Sequence, residues 1–253
     1  MSLKPFHRWY RARPLIFGHR GAREVAPENT LAAFRRAAEV GADGVELDVQ
    51  CSADGVPVVI HDWTLDRTTD GQGPVSRLAW AQLRALDAGG WFGSAFAGER
   101  VPHLEEVLEV VGGELLLNLE LKARGLGEGR LERAVAQVVR ESGLAERVLV
   151  SSFNPWCLWR FRREMPEVSL ALLTAPDQVL PLRKGWLRAL CRADTLHPHH
   201  SLITPTWMKQ VRSRGIRVNT WTVNDREMME RLWRWGVGMV CSDVPEHLVK
   251  WPT

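Results

Sequence analysis

Apolar and polar residues follow two rhythms along this chain. Short runs dense in Val, Leu and Ile predict strands at 15–18, 45–50, 56–61, 115–121, 148–153, 169–173, 195–198, 217–223 and 239–242. Between most of them, apolar residues recur at helical spacing. Residues 30–40 place Leu31, Phe34, Ala37 and Ala38 on one face, with Gly41 as the stop; 131–142 and 225–235 repeat the pattern. Strands alternating with helices predict a mostly parallel sheet covered by helices.

One connection departs from that rhythm. The runs 45–50 and 56–61 lie too close together for a parallel crossover. Asp54-Gly55 between them is a type I′ hairpin signal, and centring the turn there pairs Asp48 with His61. The third run is then a returning arm, and eight parallel strands remain. Eight strand–helix units in 253 residues predict one domain, 1–253, folded as an α/β TIM (β/α)8 barrel. Residues 62–105 are rich in glycine, with one helical stretch at 76–86, and read as a small insertion over the barrel mouth.

Composition adds little. Apolar residues make up 45% and charged residues 25%, an ordinary globular mix that excludes disorder and a fibrous chain. The net charge of +3 is mild, and no basic tract is concentrated enough to suggest nucleic acid. Four cysteines stand far apart without a CxxC pair, so neither a zinc site nor a redox motif is expected. No apolar run approaches the ~20 residues of a membrane span, and the N-terminus lacks the pattern of a signal peptide. A cytoplasmic protein is the expectation.

The chemistry emerges from strand parity, since side chains alternate between faces. Glu46 and Asp48 share one face of their strand, and Asn118, Glu120 and Lys122 share one face of theirs. Polar inward positions at strand ends need a reason, because burying charge is costly and the C-terminal end of a barrel carries its chemistry. Glu46, Asp48 and Glu120 would meet there. An all-oxygen set suits Mg²⁺ or Ca²⁺; a salt-bridge network with Lys122 and arginine is the alternative. His19 and His61 also end strands, where they could divide acid and base roles or serve structure alone. Arg20 suits a phosphate, or an ion pair with one of the carboxylates.

In these same stretches the chain resembles the glycerophosphodiester phosphodiesterase family: HRG at 19–21, PENT at 27–30, GADGVELDV at 41–49, DGVPVVIHD at 54–62, LDRTTDGQG at 65–73, LNLELK at 117–122, SSFN at 151–154 and WTVN at 221–224. The resemblance implies a barrel of the phospholipase C-like phosphodiesterase type. It implies hydrolysis of a small-molecule glycerophosphodiester to sn-glycerol 3-phosphate and an alcohol. It implies His19 and His61 as the catalytic pair, a divalent metal ion (Mg or Ca) on Glu46, Asp48 and Glu120, and Arg20 and Lys122 on the phosphate. Three positions depart from the family's usual residues: Gly238 for Asp, Ser242 for Thr and His103 for Thr. Related phosphodiesterase chemistry, phospholipase D-like or phosphoinositide-cleaving, and a non-catalytic phosphodiester binder are the alternatives.

Further positions round out the site. Trp221, taken to alternate inward with Asn219 and Val223, and Phe153 could pack on the glycerol or the alcohol, choline included through cation–π attraction, or simply fill the core. Asn29 could reach the site or cap the helix at 30–40. His197, His199 and His200 read as mouth lining or surface. The segment 4–13 mixes aromatic with basic residues. It could make weak contact with a membrane surface or close the barrel's bottom.

Overall fold

The computed structural model describes residues 8–10 and 13–250. In chain order the elements are β1 (Leu15–His19), α1 (Leu31–Glu39), β2 (Gly44–Cys51), β3 (Pro57–Val59), α2 (Trp80–Leu83), α3 (Leu104–Val111), β4 (Leu116–Leu121), α4 (Arg130–Ser142) and β5 (Val148–Ser152). There follow α5 (Pro155–Glu164), β6 (Ser169–Thr174), α6 (Leu180–Arg183), α7 (Arg188–Cys191), β7 (Thr195–Pro198), α8 (Pro205–Ser213), β8 (Arg217–Thr220), α9 (Arg226–Trp235), β9 (Met239–Ser242) and α10 (Pro245–Leu248). β1 pairs in parallel with both β2 and β9, which closes eight parallel strands into the expected TIM barrel, with β3 antiparallel outside β2. No helix among the described residues is long and apolar enough to cross a membrane.

Strand parity sorts the apolar side chains into two cores. Outward residues such as Leu47, Leu119, Val150 and Leu172 pack against helix residues including Phe34, Leu108, Val135 and Phe161. Inside the barrel, Leu15, Phe17, Leu149, Ala171 and Met239 form an apolar floor that Trp9 joins from below. The charged inward residues Glu46, Asp48, Glu120 and Lys122 lie at the mouth ends of β2 and β4, above this floor. Trp9 donates to the Glu146 carbonyl at 3.0 Å and Tyr10 to Asn219 at 2.8 Å, so both rings of this segment close the barrel's bottom. The rest of 4–13, apart from Arg8 and Arg13, lies outside the described residues.

Local chemistry explains most boundaries. Thr30 caps α1 by accepting from the Ala33 amide, so the cap expected of Asn29 belongs to its neighbour. His103 takes the same role at α3, its ring nitrogen accepting from the Glu105 amide at 3.0 Å. At Gly238 a Cβ would collide with the Tyr10 ring, so the aspartate usual in the family does not fit under this floor. β8 stops at Thr220, and Trp221 makes only an isolated bridge to His199. Val223, expected inward with Trp221, instead joins the outer core.

The hairpin corrects the expected register by one residue. Val49 faces Val59, Gln50 faces Val58 and Cys51 faces Pro57, rather than Asp48 facing His61. A type I′ turn needs positive φ at both central residues, but of Asp54 and Gly55 only Gly55 has it, at 88°. Residues 53–55 form a three-residue loop, in which the Ser52 amide donates to the Val56 carbonyl and the Gly55 amide to the Ser52 carbonyl, each at 3.0 Å. Asp54 accepts from the Trp80 amide at 2.9 Å and so ties the loop to the insertion. The insertion has its own small core around Leu65, Val75, Leu83 and Val101, and its expected helix at 76–86 shrinks to the single turn of α2.

Gly55→Ala should therefore destabilise the protein. The left-handed backbone costs about 1–2 kcal/mol for a residue with a Cβ, and that Cβ would also collide with the Arg130 guanidinium. We expect a lower urea midpoint with an unchanged slope; an unchanged midpoint would contradict the assignment of this turn.

Candidate active site

His19 ends β1 with Nδ1 2.7 Å from Asp243 Oδ1, which leaves Nε2 facing the cavity, 4.0 Å from Glu46 Oε2. Asp243 follows β9, the neighbouring strand, and also accepts from Asn224 at 2.8 Å. Burial alone would raise the Asp243 carboxyl, but the hydrogen bond with His19 and the proximity of its ring take it down to about 2. His61 has the same arrangement, with Nδ1 2.6 Å from Asp62 Oδ1. A hydrogen bond from Arg67 is the main cause holding Asp62 below the usual carboxylate range. Burial lowers His61, against the pull of Asp48. It lies beyond β3, and the Gln50 amide bends the chain there. That amide sits 2.7–3.0 Å from the carbonyls of Ile60, His61 and Asp62.

The three carboxylates converge as strand parity predicts. β2 and β4 pair Glu46 with Asn118 and Asp48 with Glu120. One ligand atom from each of Glu46, Asp48 and Glu120 lies within 4.8 Å of the others. Burial pushes Glu46 well above the ordinary carboxylate range, and Asp48 and Glu120 add to the effect. Burial raises Glu120 to about 7, with Lys122 opposing. Burial would raise Asp48 too, but Lys122, Arg20 and a hydrogen bond from Asn29 keep it at about 2. The Lys122 ammonium lies 3.4 Å from Asp48 and 3.2 Å from Glu120, while Glu46 Oε2 accepts from the Arg20 amide at 3.1 Å. Glu46 Oε1 is buried without a partner. That orphaned oxygen, in an all-carboxylate set short of positive charge, fits a hard divalent cation.

A cavity of about 240 Å³ joins these groups. One side presents His19, Arg20, Glu46, His61, Glu120 and Lys122; the other presents Phe153, Leu173 and Trp221. Phe153 meets Trp221 edge-on at 5.5 Å, and the Trp221 indole donates to the His197 carbonyl at 3.0 Å. Asn29 is not among the residues that line this cavity. Its amide donates to Asp48 Oδ2 at 2.9 Å and accepts from the Asp48 backbone at 3.2 Å, so it positions Asp48. His197 is buried in the barrel and His199 stacks edge-on against Trp221 at 5.1 Å.

Glu28 is the residue that strand patterns leave out. It is only 5% exposed and accepts from Arg20 at 2.8 Å and from Arg67 at 2.7 and 3.0 Å. Arg23 lies 3.1 Å from it and 3.6 Å from Asp243. Arg67 also holds Asp62. One buried carboxylate thus supports the orienting acids of both histidines. Burial would raise Glu28, yet Arg67, Arg20 and Arg23 hold it at about 2. Its place in PENT was the available signal, but a loop has no parity from which to read burial.

Residues 19–247 match the glycerophosphoryl diester phosphodiesterase family. The chain belongs to that family. It is 41% identical over 239 residues to the glycerophosphodiester phosphodiesterase of Caldanaerobacter subterraneus subsp. tengcongensis, covering 94% of this chain and 97% of the relative. Among solved structures, the Oleispira antarctica phosphodiesterase in complex with the product sn-glycerol-3-phosphate superposes with a TM-score of 0.87. Identity there is 31%, over 97% of this chain and 98% of that one. The Agrobacterium tumefaciens glycerophosphodiester phosphodiesterase gives a TM-score of 0.81 at 32% identity, over 94% of this chain and all of that one. This chain is an enzyme of the glycerophosphodiester phosphodiesterase family, and the cavity is its candidate active site.

Two measurements test this architecture. Glu28→Gln removes the buried carboxylate that three arginines share, and loss of one partner from such a network costs about 3 kcal/mol. A double-mutant cycle with Arg67→Gln should give a coupling of about 1 kcal/mol; additive effects would dissolve the proposed hub. His197 supplies the pH test, since burial lowers it to about 3. The unfolded chain binds this proton below pH ~6.5 and the folded chain does not, so stability falls as pH drops through that value. Between pH 7 and 5 this group should remove about 2 kcal/mol, a loss that His197→Gln should spare.

Proposed function

We propose that this chain hydrolyses glycerophosphodiesters to sn-glycerol 3-phosphate and an alcohol, with His19 and His61 as the acid–base pair. One observation carries the reading. Two histidines, each tied through Nδ1 to a carboxylate, flank a cavity lined by Glu46 and Glu120, with which the buried Asp48 forms one carboxylate cluster. Those three would hold Mg²⁺ or Ca²⁺, and a bound ion supplies Lewis-acid stabilisation of charge on the phosphoryl oxygens.

The chain's own residues account for the rest. Arg20 and Lys122 line the cavity as fixed cations facing the phosphodiester. One histidine removes the proton from the attacking hydroxyl, which belongs to water or to the substrate's glycerol. The other protonates the departing alkoxide, an otherwise poor leaving group. Asp243 and Asp62 orient the rings and stabilise them when charged. Phe153, Leu173 and Trp221 offer an apolar wall to the glycerol or the alcohol, and an aromatic face attracts a quaternary ammonium such as choline.

His19→Ala and His61→Ala should each lower turnover by about 10²- to 10⁴-fold. A substrate with an activated leaving group should restore the variant that lacks the acid and leave the other impaired. Near-wild-type release of glycerol 3-phosphate by either variant would remove that histidine from the mechanism. Chelation should abolish activity and Mg²⁺ or Ca²⁺ should return it, whereas full turnover in stripped enzyme would overturn the metal assignment.

A further inference from the structure

The connection from β6 to β7 differs from its neighbours. Where β4 and β5 are followed by helices of 13 and 10 residues, this one has only α6 and α7, of four residues each. It is nevertheless rich in large apolar side chains. Val179 is 67% exposed, Leu180 45%, Trp186 64% and Leu190 47%. None of them packs into the core clusters of the described residues. Four cations, Arg183, Lys184, Arg188 and Arg192, are interleaved with them, against the single acid Asp177 in residues 176–192. Arg183 and Arg188 donate to the backbone carbonyls of Pro176 and Ala193. No carboxylate pairs with any of the four cations among the described residues.

Val179 and Leu180 come soon after the end of β6, and two further exposed apolar residues follow its neighbouring strands. Leu126 follows β4 and is 68% exposed; Trp156 follows β5 and is 41% exposed. β4, β5 and β6 are adjacent in the barrel, and the Asn154 amide ties the loops after β4 and β5 together by donating to the Gly125 carbonyl at 2.7 Å. The exposed residues therefore follow three neighbouring strands. Phe153 and Leu173, at the ends of β5 and β6, form the apolar wall of the cavity beside them.

We propose that this edge of the barrel rests on an anionic phospholipid surface. Exposed apolar residues bordered by cations mark an interaction site. Tryptophan suits the headgroup boundary, and lysine and arginine reach anionic lipid while their stems stay in apolar surroundings. The excess of cations selects an anionic surface, and short turns bearing separate apolar side chains suit a fluid layer better than a fitted groove. Docking there would set the apolar wall of the cavity against the membrane from which glycerophosphodiesters derive. The proposal goes beyond the hydrolytic reading, and its test reads binding without turnover.

The full chain should be floated with vesicles of phosphatidylcholine alone and of phosphatidylcholine with phosphatidylglycerol. Binding should favour the anionic vesicles at least tenfold at low salt and weaken as salt rises. A triple variant, Val179→Ser, Leu180→Ser and Trp186→Ala, should lose that binding at least tenfold. Its circular dichroism spectrum and cooperative urea unfolding should match those of the unaltered chain, which reports that it folds. A charge variant, Arg183→Glu with Lys184→Glu, should lose the anionic preference. Absence of vesicle binding would overturn the proposal, as would equal binding by the triple variant, which would point to segment 4–13. A dimer in sedimentation that this variant abolishes would assign the face to a second copy and equally overturn the lipid assignment.

Discussion

Three carboxylates on two adjacent strands, two of them buried and the third partly so, are the constraint around which this barrel is organised. Glu46, Asp48 and Glu120 cannot all be charged in a low-dielectric interior without cations close by. Lys122 and Arg20 supply part of that charge and bring Asp48 to the ionised state, while Glu46 keeps an oxygen without a partner. The cluster sits only at the mouth, because below it the inward positions pass to Phe17, Leu149 and Met239. The floor supplies hydrophobic stability and the rim supplies charge, so substitutions in the two layers act on different properties of the molecule.

The two histidines extend the same principle. Each has one ring nitrogen committed to a carboxylate, and each carboxylate is steadied by arginine or asparagine. Glu28 joins these separate supports through Arg23 and Arg67. Its loop also holds Asn29, which fixes Asp48, and Thr30, which caps α1. A short stretch after β1 thereby couples a helix start, a carboxylate and both histidines. The left-handed backbone at Arg20 and Asn29, with φ of 58° and 57°, belongs to the same stretch. Surrounding hydrogen bonds hold such conformations in place, the Arg20 carbonyl accepting from the Asn29 amide at 3.0 Å.

Much of this was legible from the sequence. Eight parallel strands follow from the spacing of the apolar runs. The convergence of Glu46, Asp48 and Glu120 follows from parity, since every second residue of a strand faces one way. His19 ends its strand one residue beyond the expected boundary, with no change of role in the geometry. The hairpin shows the limit. Asp54-Gly55 marked a turn, but Asp54 is engaged by Trp80 from the insertion, so the loop gained a residue and the register shifted. His61 then reaches the mouth through the Gln50 amide, a contact no alternation rule contains.

The sequence by itself determined the strand and helix alternation, the inward rows and the residue types that gather at the mouth. These are local properties, set by backbone geometry within a few residues. Only the tertiary structure decided that Glu28 is buried among three arginines, that Asn29 serves Asp48 and not the helix, and that Gly238 makes room for Tyr10. It alone leaves the apolar side chains between β6 and β7 outside the core. Burial and partnership depend on which distant segments become neighbours, and that is fixed only when the barrel closes.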